Sequence, residues 1–418
     1  MKSLPMLIQP SVASPLQLPR FPVAGRAQPP FEAGCDDLPG QTLTATYIPP
    51  NDVLSHLDAT RDSWWRLVER ALEPNVFYEP PLLQSALKAW GTSQHVGIVA
   101  VDAPRRKWPD GPRVLCGLFP IVHTRHAGQR CVALWRHHQC YLSTPLIRTD
   151  VAQETLNTFL DFLASPAMRV PLMRMEMSPG EGPFHKLLVE TLHHRQQGYL
   201  TLDRYTRAFF LREFSADDFL QNNLSRKRRH ELKRQLRRLE EQHRVSFRSL
   251  NDAGDVDAWV DQFLRLESSG WKQRSATALA CEATDATFFR DALRTAHERG
   301  SLMMMSLDVN DVPVAMKCNL LSGQGGFAFK IAYDERFAEY SPGALLELEN
   351  IRQLHSLPTT LWMDSCAMPS HSLINPLWPD RRIVQTILFS TGCAPGDLTI
   401  ATTPLLKWIR DTVCNRPE

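Results

Sequence analysis

The sequence predicts an α/β protein built from two copies of one unit behind a Pro-rich tail. Three observations carry this. At 418 residues the chain exceeds an ordinary single domain. An order of strand, turn, strand, strand, loop, helix and strand runs from His95 to Met177 and recurs from Leu302 to Asp364. Residues 1–50, by contrast, show no periodicity and many prolines, as in SVASPLQLPRFPVAGRAQPP, so they bury too little apolar surface to offset their ordering entropy.

The first unit is expected over 51–205. SHLDATRDSWWRLVERAL reads as a helix, and PPLLQSALKAWG as another that stops at Gly91. HVGIVAVDA, RVLCGLFPIVHTRH and CVALWRHH read as strands, with the turn-rich PRRKWPDGP between the first two. A helix over DVAQETLNTFLDFLAS, with Thr149 or Asp150 near its cap, precedes the strand VPLMRMEMSP and the helix PFHKLLVETLHHRQ. The second unit is expected over 206–400, with 401–418 as a terminal segment. It includes a helix over 223–244 whose Leu232, Leu236 and Leu239 form a narrow apolar seam. Eight basic residues lie between Arg226 and Arg238, against Glu231 alone. They suit an anionic partner (CoA phosphates, RNA or a lipid headgroup), or else a solvated face on a helix packed by its leucines. No aromatic residue interleaves with them, which weighs against single-stranded nucleic acid.

Everything turns on Gly326 to His355. GFAFKIAYD reads as a strand, followed by a polar loop, Pro342-Gly343 and a helix with Leu345, Leu348, Ile351 and Leu354 on one face. Pro342 presets a first helical turn, Gly343 permits close approach to the backbone, and a helix start offers unpaired N–H groups to a phosphate. Tyr340, Ser341, Pro342, Gly343, Ala344 and Leu345 are therefore the candidate cofactor-binding loop.

With its neighbours SLMMMSLDVNDVPVAMKCNLLSGQGG and TTLWMDSCAMPSH, this stretch resembles the GNAT superfamily of acyl-CoA N-acyltransferases. FLRLESSGWK, FAFKIAYDERFAEYSPGALLE, MDSCAMPSH and LWPDRR resemble, more narrowly, the CelD-type acetyltransferases associated with bacterial cellulose synthesis. The resemblance spans roughly Val53 to Thr391 and is strongest from Phe263 to Ile383. It implies two tandem GNAT-like units, mixed central sheets flanked by helices, with acetyl-CoA or another acyl-CoA as co-substrate. The usual GNAT loop, Gln/Arg-x-x-Gly-x-Gly/Ala, survives only in part at Tyr340–Leu345, a departure shared with Fem-type relatives.

Acyl transfer to an amine needs a base, donors for the developing oxyanion and an exit for the thiolate. Glu267 closes a periodic helix (Val260, Phe263, Leu264, Leu266) before Gly270, and Trp271 and Lys272 open the loop beyond it as substrate contacts. Alternation puts Lys330 on one face with Ala328 and Ala332, while Tyr333 stands where that strand ends. Asp364 as base or anchor and His371 as pocket wall follow the next strand. Cys366 with His371 is the thiol alternative, and Arg381 and Arg382 are substrate forks or partners of an Asp.

The expected activity is N-acetyl transfer to a small-molecule or glycan-precursor amine, with association with a polysaccharide synthase. The rivals are a Fem-like transferase using aminoacyl-tRNA and a non-catalytic accessory of polysaccharide synthesis. Net charge of +2 gives no global field toward nucleic acid or membrane, and no apolar run reaches 18 residues. Nine cysteines without a CxxC pair read as free thiols of a reducing cytoplasm, and prolines interrupt any signal-like start. No metal is expected, because His137, His138 and Cys140 are too crowded for a zinc spacing.

Overall fold

The computed structural model describes residues 38, 40–104, 113–251 and 253–414, with the side chains at 271, 272 and 406–414 outside that description. Strand β1 (Thr44–Ile48) already lies within the stretch expected to be tail, so that expectation reaches too far. It pairs with β2, Thr44 opposite Asp102 through Ile48 opposite Ile98.

Helices α1 (Val53–Ala59), α2 (Arg61–Glu69) and α3 (Pro80–Ala86) follow, the last opened by two prolines that suit a first turn. Then come β2 (Gly97–Ala103), β3 (Val114–His126), β4 (Gln129–Leu134) and the short β5 (Leu146–Ile147). The half closes with α4 (Ala152–Ala164), β6 (Leu172–Pro179), α5 (Gly182–His194) and β7 (Tyr199–Leu211). The expected boundary at 205/206 falls inside β7.

Helix α6 (Ala216–Asn223) leads into α7 (Arg226–Gln242), whose cap is Ser225: its Oγ accepts from the Arg228 N–H at 3.2 Å. Leu232 and Leu239 of the seam are buried, and Leu236 packs at the edge of the same core. Strand β8 (Val245–Ser249), α8 (Val256–Ser268), the single turn α9 (Trp271–Arg274) and α10 (Ala283–Glu298) precede a meander of β9 (Leu302–Val309), β10 (Val312–Ser322) and β11 (Gly325–Tyr333). Asn310 and Asp311 both take left-handed φ, 51° and 66°, which matches the twist of the hairpin they join. Helix α11 (Pro342–Ser356), β12 (Trp362–Asp364), β13 (Asp380–Ser390) and α12 (Ala394–Cys414) complete the chain.

The strands form one continuous sheet in the order β1-β2-β3-β4-β6-β13-β7-β12-β11-β10-β9-β8, with β5 against β3. Only β4–β6 and β11–β12 are parallel in this order, one pair in each half. The expected duplication is thus the observed topology: four antiparallel strands, then a parallel fifth, twice. The last strand of each half is exchanged. β7 pairs with β12, β13 pairs with β6, and the two exchanged strands pair with each other over ten residues. The halves also share a core, where Phe77 meets Phe327 and Phe329 at ring distances of 5.9 and 6.1 Å. Among the described residues, no helix is long and apolar enough to cross a membrane.

Candidate functional site

β11 and β12 pair only from Gly325–Phe327 to Trp362–Asp364. Beyond that, β11 runs on to Tyr333 while β12 stops and its chain turns at Cys366, which takes a φ of +52°. Splayed parallel strands leave a gap at their carboxyl ends, where open α/β sheets bind ligands. Here the gap is a cavity of about 940 Å³. Ala328, Lys330, Ala332 and Tyr333 form one wall, Ser365–Ile374 most of another, and Glu267 and Asp285 a third. The first half reaches in through the loop after β4, with His138, Gln139 and Tyr141.

Lys330 and Lys317 both line this cavity, and Lys330 stands on the β11 wall. Its Nζ donates to Tyr141 Oη at 2.9 Å, and Tyr141 Oη in turn donates to Gln139 Oε1 at 3.1 Å. Burial pushes the Lys330 pKa down, partly offset by Glu267 and Asp285, so its net shift is downward. Glu267 is nearly buried and accepts the Leu279 N–H on Oε2 at 2.8 Å. Lys317 and Glu347, which also line the cavity, form a buried ion pair at 2.7 Å that ties β10 to α11. Glu347 Oε1 also accepts from Asn350 Nδ2 and Trp378 Nε1.

Of the expected site residues, Glu267, Lys330, Tyr333 and His371 all line this cavity. Asp364, expected as base or anchor, does not line it. It is fully buried and paired with Arg207 at 2.7 Å and Arg382 at 3.0 Å, and it also accepts the Cys366 N–H at 2.9 Å. Burial alone would raise its pKa, but the two guanidinium groups overcome this and hold the carboxyl below its ordinary range. Arg382 is accordingly a structural partner rather than a substrate fork. Arg381 spends its Nη1 on the Trp378, Pro379 and Asp380 carbonyls. Cys366 and His371 of the thiol alternative both line the cavity, but burial and then Asp364 push the Cys366 thiol well up, away from thiolate. The side chains of Trp271 and Lys272 lie outside the described residues.

The loop Tyr340–Leu345 forms the expected helix start, with Pro342 at its first position and Ser341 at a left-handed φ of 52°. None of its six residues lines the cavity. A β-carbon at Gly343 would stand 2.8 Å from Leu373 Cδ1, so the close approach that the glycine permits is taken up by Leu373, which does line the cavity. Tyr340 ties α11 to α7, donating from Oη to Gln242 Oε1 at 2.8 Å beneath the Arg238 guanidinium.

Sequence reasoning missed Tyr141 and the pair His138–Asp285. His138 Nε2 lies 2.8 and 3.0 Å from the two Asp285 oxygens. The segment holding His138 was weighed only as a zinc spacing. His137 instead stacks on Trp90 and is buried, and Cys140 is buried with its Sγ 3.2 Å from the Leu142 carbonyl. Among the described residues no group of three His, Cys, Asp or Glu side chains could hold a metal.

Residues 226–362 match the family model described as an acetyltransferase (GNAT) domain. That match falls within the second half of the chain. The chain as a whole is similar in fold to the crystal structure of FemX, at 10% identity over 84% of this chain and 98% of that one, with a TM-score of 0.50. Also similar are a conserved protein of unknown function from Bacteroides thetaiotaomicron (11% identity, 79% and 96% covered, TM-score 0.49) and a tandem GNAT protein from the clavulanic acid biosynthesis pathway (12%, 84% and 99%, TM-score 0.39). No curated protein matches the chain. The matched residues include β11 and α11, the strand and helix beside which the cavity opens.

Proposed function

We propose that the protein is an acyl-CoA-dependent N-acyltransferase, acetyl in the simplest case, acting on an amine held between β11 and β12. The observation that carries this is the parting of those strands after three paired residues over a cavity lined by Lys330, Glu267 and Tyr333. Acyl-CoA supplies an acyl group activated as a thioester. Tyr333 and Leu373 would hold it, with the start of α11 behind Leu373. Lys330 directs one N–H to Tyr141 Oη and has two left for the developing oxyanion. Glu267 draws in the acceptor's ammonium. An envelope or exopolysaccharide precursor as acceptor rests on the CelD-type resemblance, and an accessory role without catalysis on the partial match of Tyr340–Leu345 to the usual GNAT loop.

Calorimetric titration of acetyl-CoA and longer acyl-CoAs into the wild type and Ala328→Trp tests the reading. Binding to the wild type, lost in the variant with its circular dichroism unchanged, is the expected result. A folded wild type that binds no acyl-CoA overturns it. One observation favours a second reading, a Fem-like transferase fed by aminoacyl-tRNA. Arg226 and Lys227 stand exposed in the first turn of α7, at the positive end of its dipole, where cations are disfavoured unless an anion joins them. Aminoacyl-tRNA binding that weakens steeply with salt would support it.

A further inference from the structure

We infer that His138, from the first half of the chain, is the general base of the cavity in the second half, and that Asp285 is its positioning residue. This rests on the acyl-transfer reading and deepens it. The two side chains come from segments 147 residues apart, the loop after β4 and the start of α10, and both line the cavity. His138 is 52% exposed and Asp285 15%, so the carboxylate is the sheltered member and the imidazole the one presented. As a surface ion pair the contact would contribute little to stability. Its geometry is that of a base and its orienter.

An ionised carboxylate only accepts, so Nε2 carries the hydrogen and the lone pair falls on Nδ1. Trp90 sets the ring plane, packing edge-on to His138 at 4.8 Å while stacking on His137 at 4.7 Å. The buried neighbour cannot take the role. Burial first, then His138 and Arg136, push the His137 pKa down to about 3. Glu267 is nearly buried with one oxygen on the Leu279 N–H, and Asp364 is locked between two arginines.

The step balances as follows. The acceptor's ammonium first loses one proton to solvent; its freed nitrogen then forms a bond to the thioester carbonyl carbon, and the C–S bond breaks. The nitrogen's surplus proton passes to Nδ1 of His138, and imidazolium or solvent returns a proton to the departing thiolate. The net products are an amide and free CoA. A base from one half acting on a site in the other means that neither half is competent alone.

The test uses the full chain. Diethyl pyrocarbonate, with the modified residue located by mass spectrometry, should carbethoxylate His138 in the unliganded protein and leave His137 unmodified. An unreactive His138 would show that its lone pair is not presented, and would overturn the assignment. With acetyl-CoA and a panel of glucosamine, lysine and putrescine as probe acceptors, His138→Ala should keep the wild-type Kd for acetyl-CoA. Its turnover should fall roughly 10²–10⁴-fold, the usual contribution of a general base, and added imidazole should restore part of it. Asp285→Asn should lower turnover without changing that Kd. Unchanged turnover in His138→Ala, or a loss that imidazole does not rescue, leaves acyl transfer standing and removes His138 as its base. Failure of the wild type to bind acetyl-CoA removes both.

Discussion

Asp364 shows how little a residue's type says about its work. Read in sequence, a carboxylate at a strand end beside a cavity is a base; in the fold it neutralises Arg207 and Arg382. Asp364→Asn should therefore destabilise the protein by about 3–5 kcal/mol, because two buried guanidinium groups lose their counter-charge. Urea unfolding measures this, and an unchanged midpoint would contradict it. Since its folded pKa is depressed, the stability that Asp364 contributes is present at neutral pH and is lost as pH falls through that depressed value. Glu79 runs the other way. Burial raises its pKa from an ordinary 4.5 to about 7, against a hydrogen bond from Ser322 that lowers it. The folded state then holds the proton more tightly, so the contribution of Glu79 is full below about pH 4.5. Roughly 3 kcal/mol of it is lost as pH rises to about 7. Denaturation midpoints at pH 5 and pH 8 should differ less in Glu79→Gln than in the wild type. Neither carboxylate's role was legible, because the partners lie far away in sequence: Arg207 precedes Asp364 by 157 residues and Ser322 follows Glu79 by 243.

At the scale of elements, local chemistry was readable where neighbours decide the outcome. The Asn310-Asp311 turn, the Ser-Pro-Gly start of α11 and the alternation that sets Lys330 beside Ala328 and Ala332 are all short-range consequences of backbone sterics. What α11 does with its glycine was not readable, because Leu373 comes from a separate loop. Ser341 carries a left-handed backbone with no side-chain capping bond to compensate. Ser341→Gly should thus stabilise the fold, by about 1 kcal/mol, since a β-carbon there costs roughly 1–2 kcal/mol that glycine avoids. A lower denaturation midpoint in that variant would show that the serine has a partner role. The first strand was legible but overlooked: TATYI holds no proline and four β-prone residues, yet it directly adjoins the Pro-rich stretch.

For the whole molecule, the duplicated order of elements was visible because hydrophobic periodicity repeats, whereas the exchange of final strands was not, since pairing between distant strands leaves no local mark. The shared core and the ten-residue β7–β13 ladder should make the halves unfold together. Calorimetry should give one transition whose van't Hoff and calorimetric enthalpies agree, and two separate transitions would contradict the coupling. Expressed alone, residues 1–197 should be insoluble, and co-expression with 198–418 should rescue them, because β13 covers the edge of β6.

The exchange also sets a clock on synthesis. About 200 residues separate the end of β6 from the start of β13. At roughly 5–20 residues per second, the first sheet waits some 10–40 s on the ribosome with its β6 edge bare. During that interval the nascent first half is an open template for strand pairing with any neighbour. The protein's demand for chaperones should accordingly fall on its first half, and end when its last strand emerges.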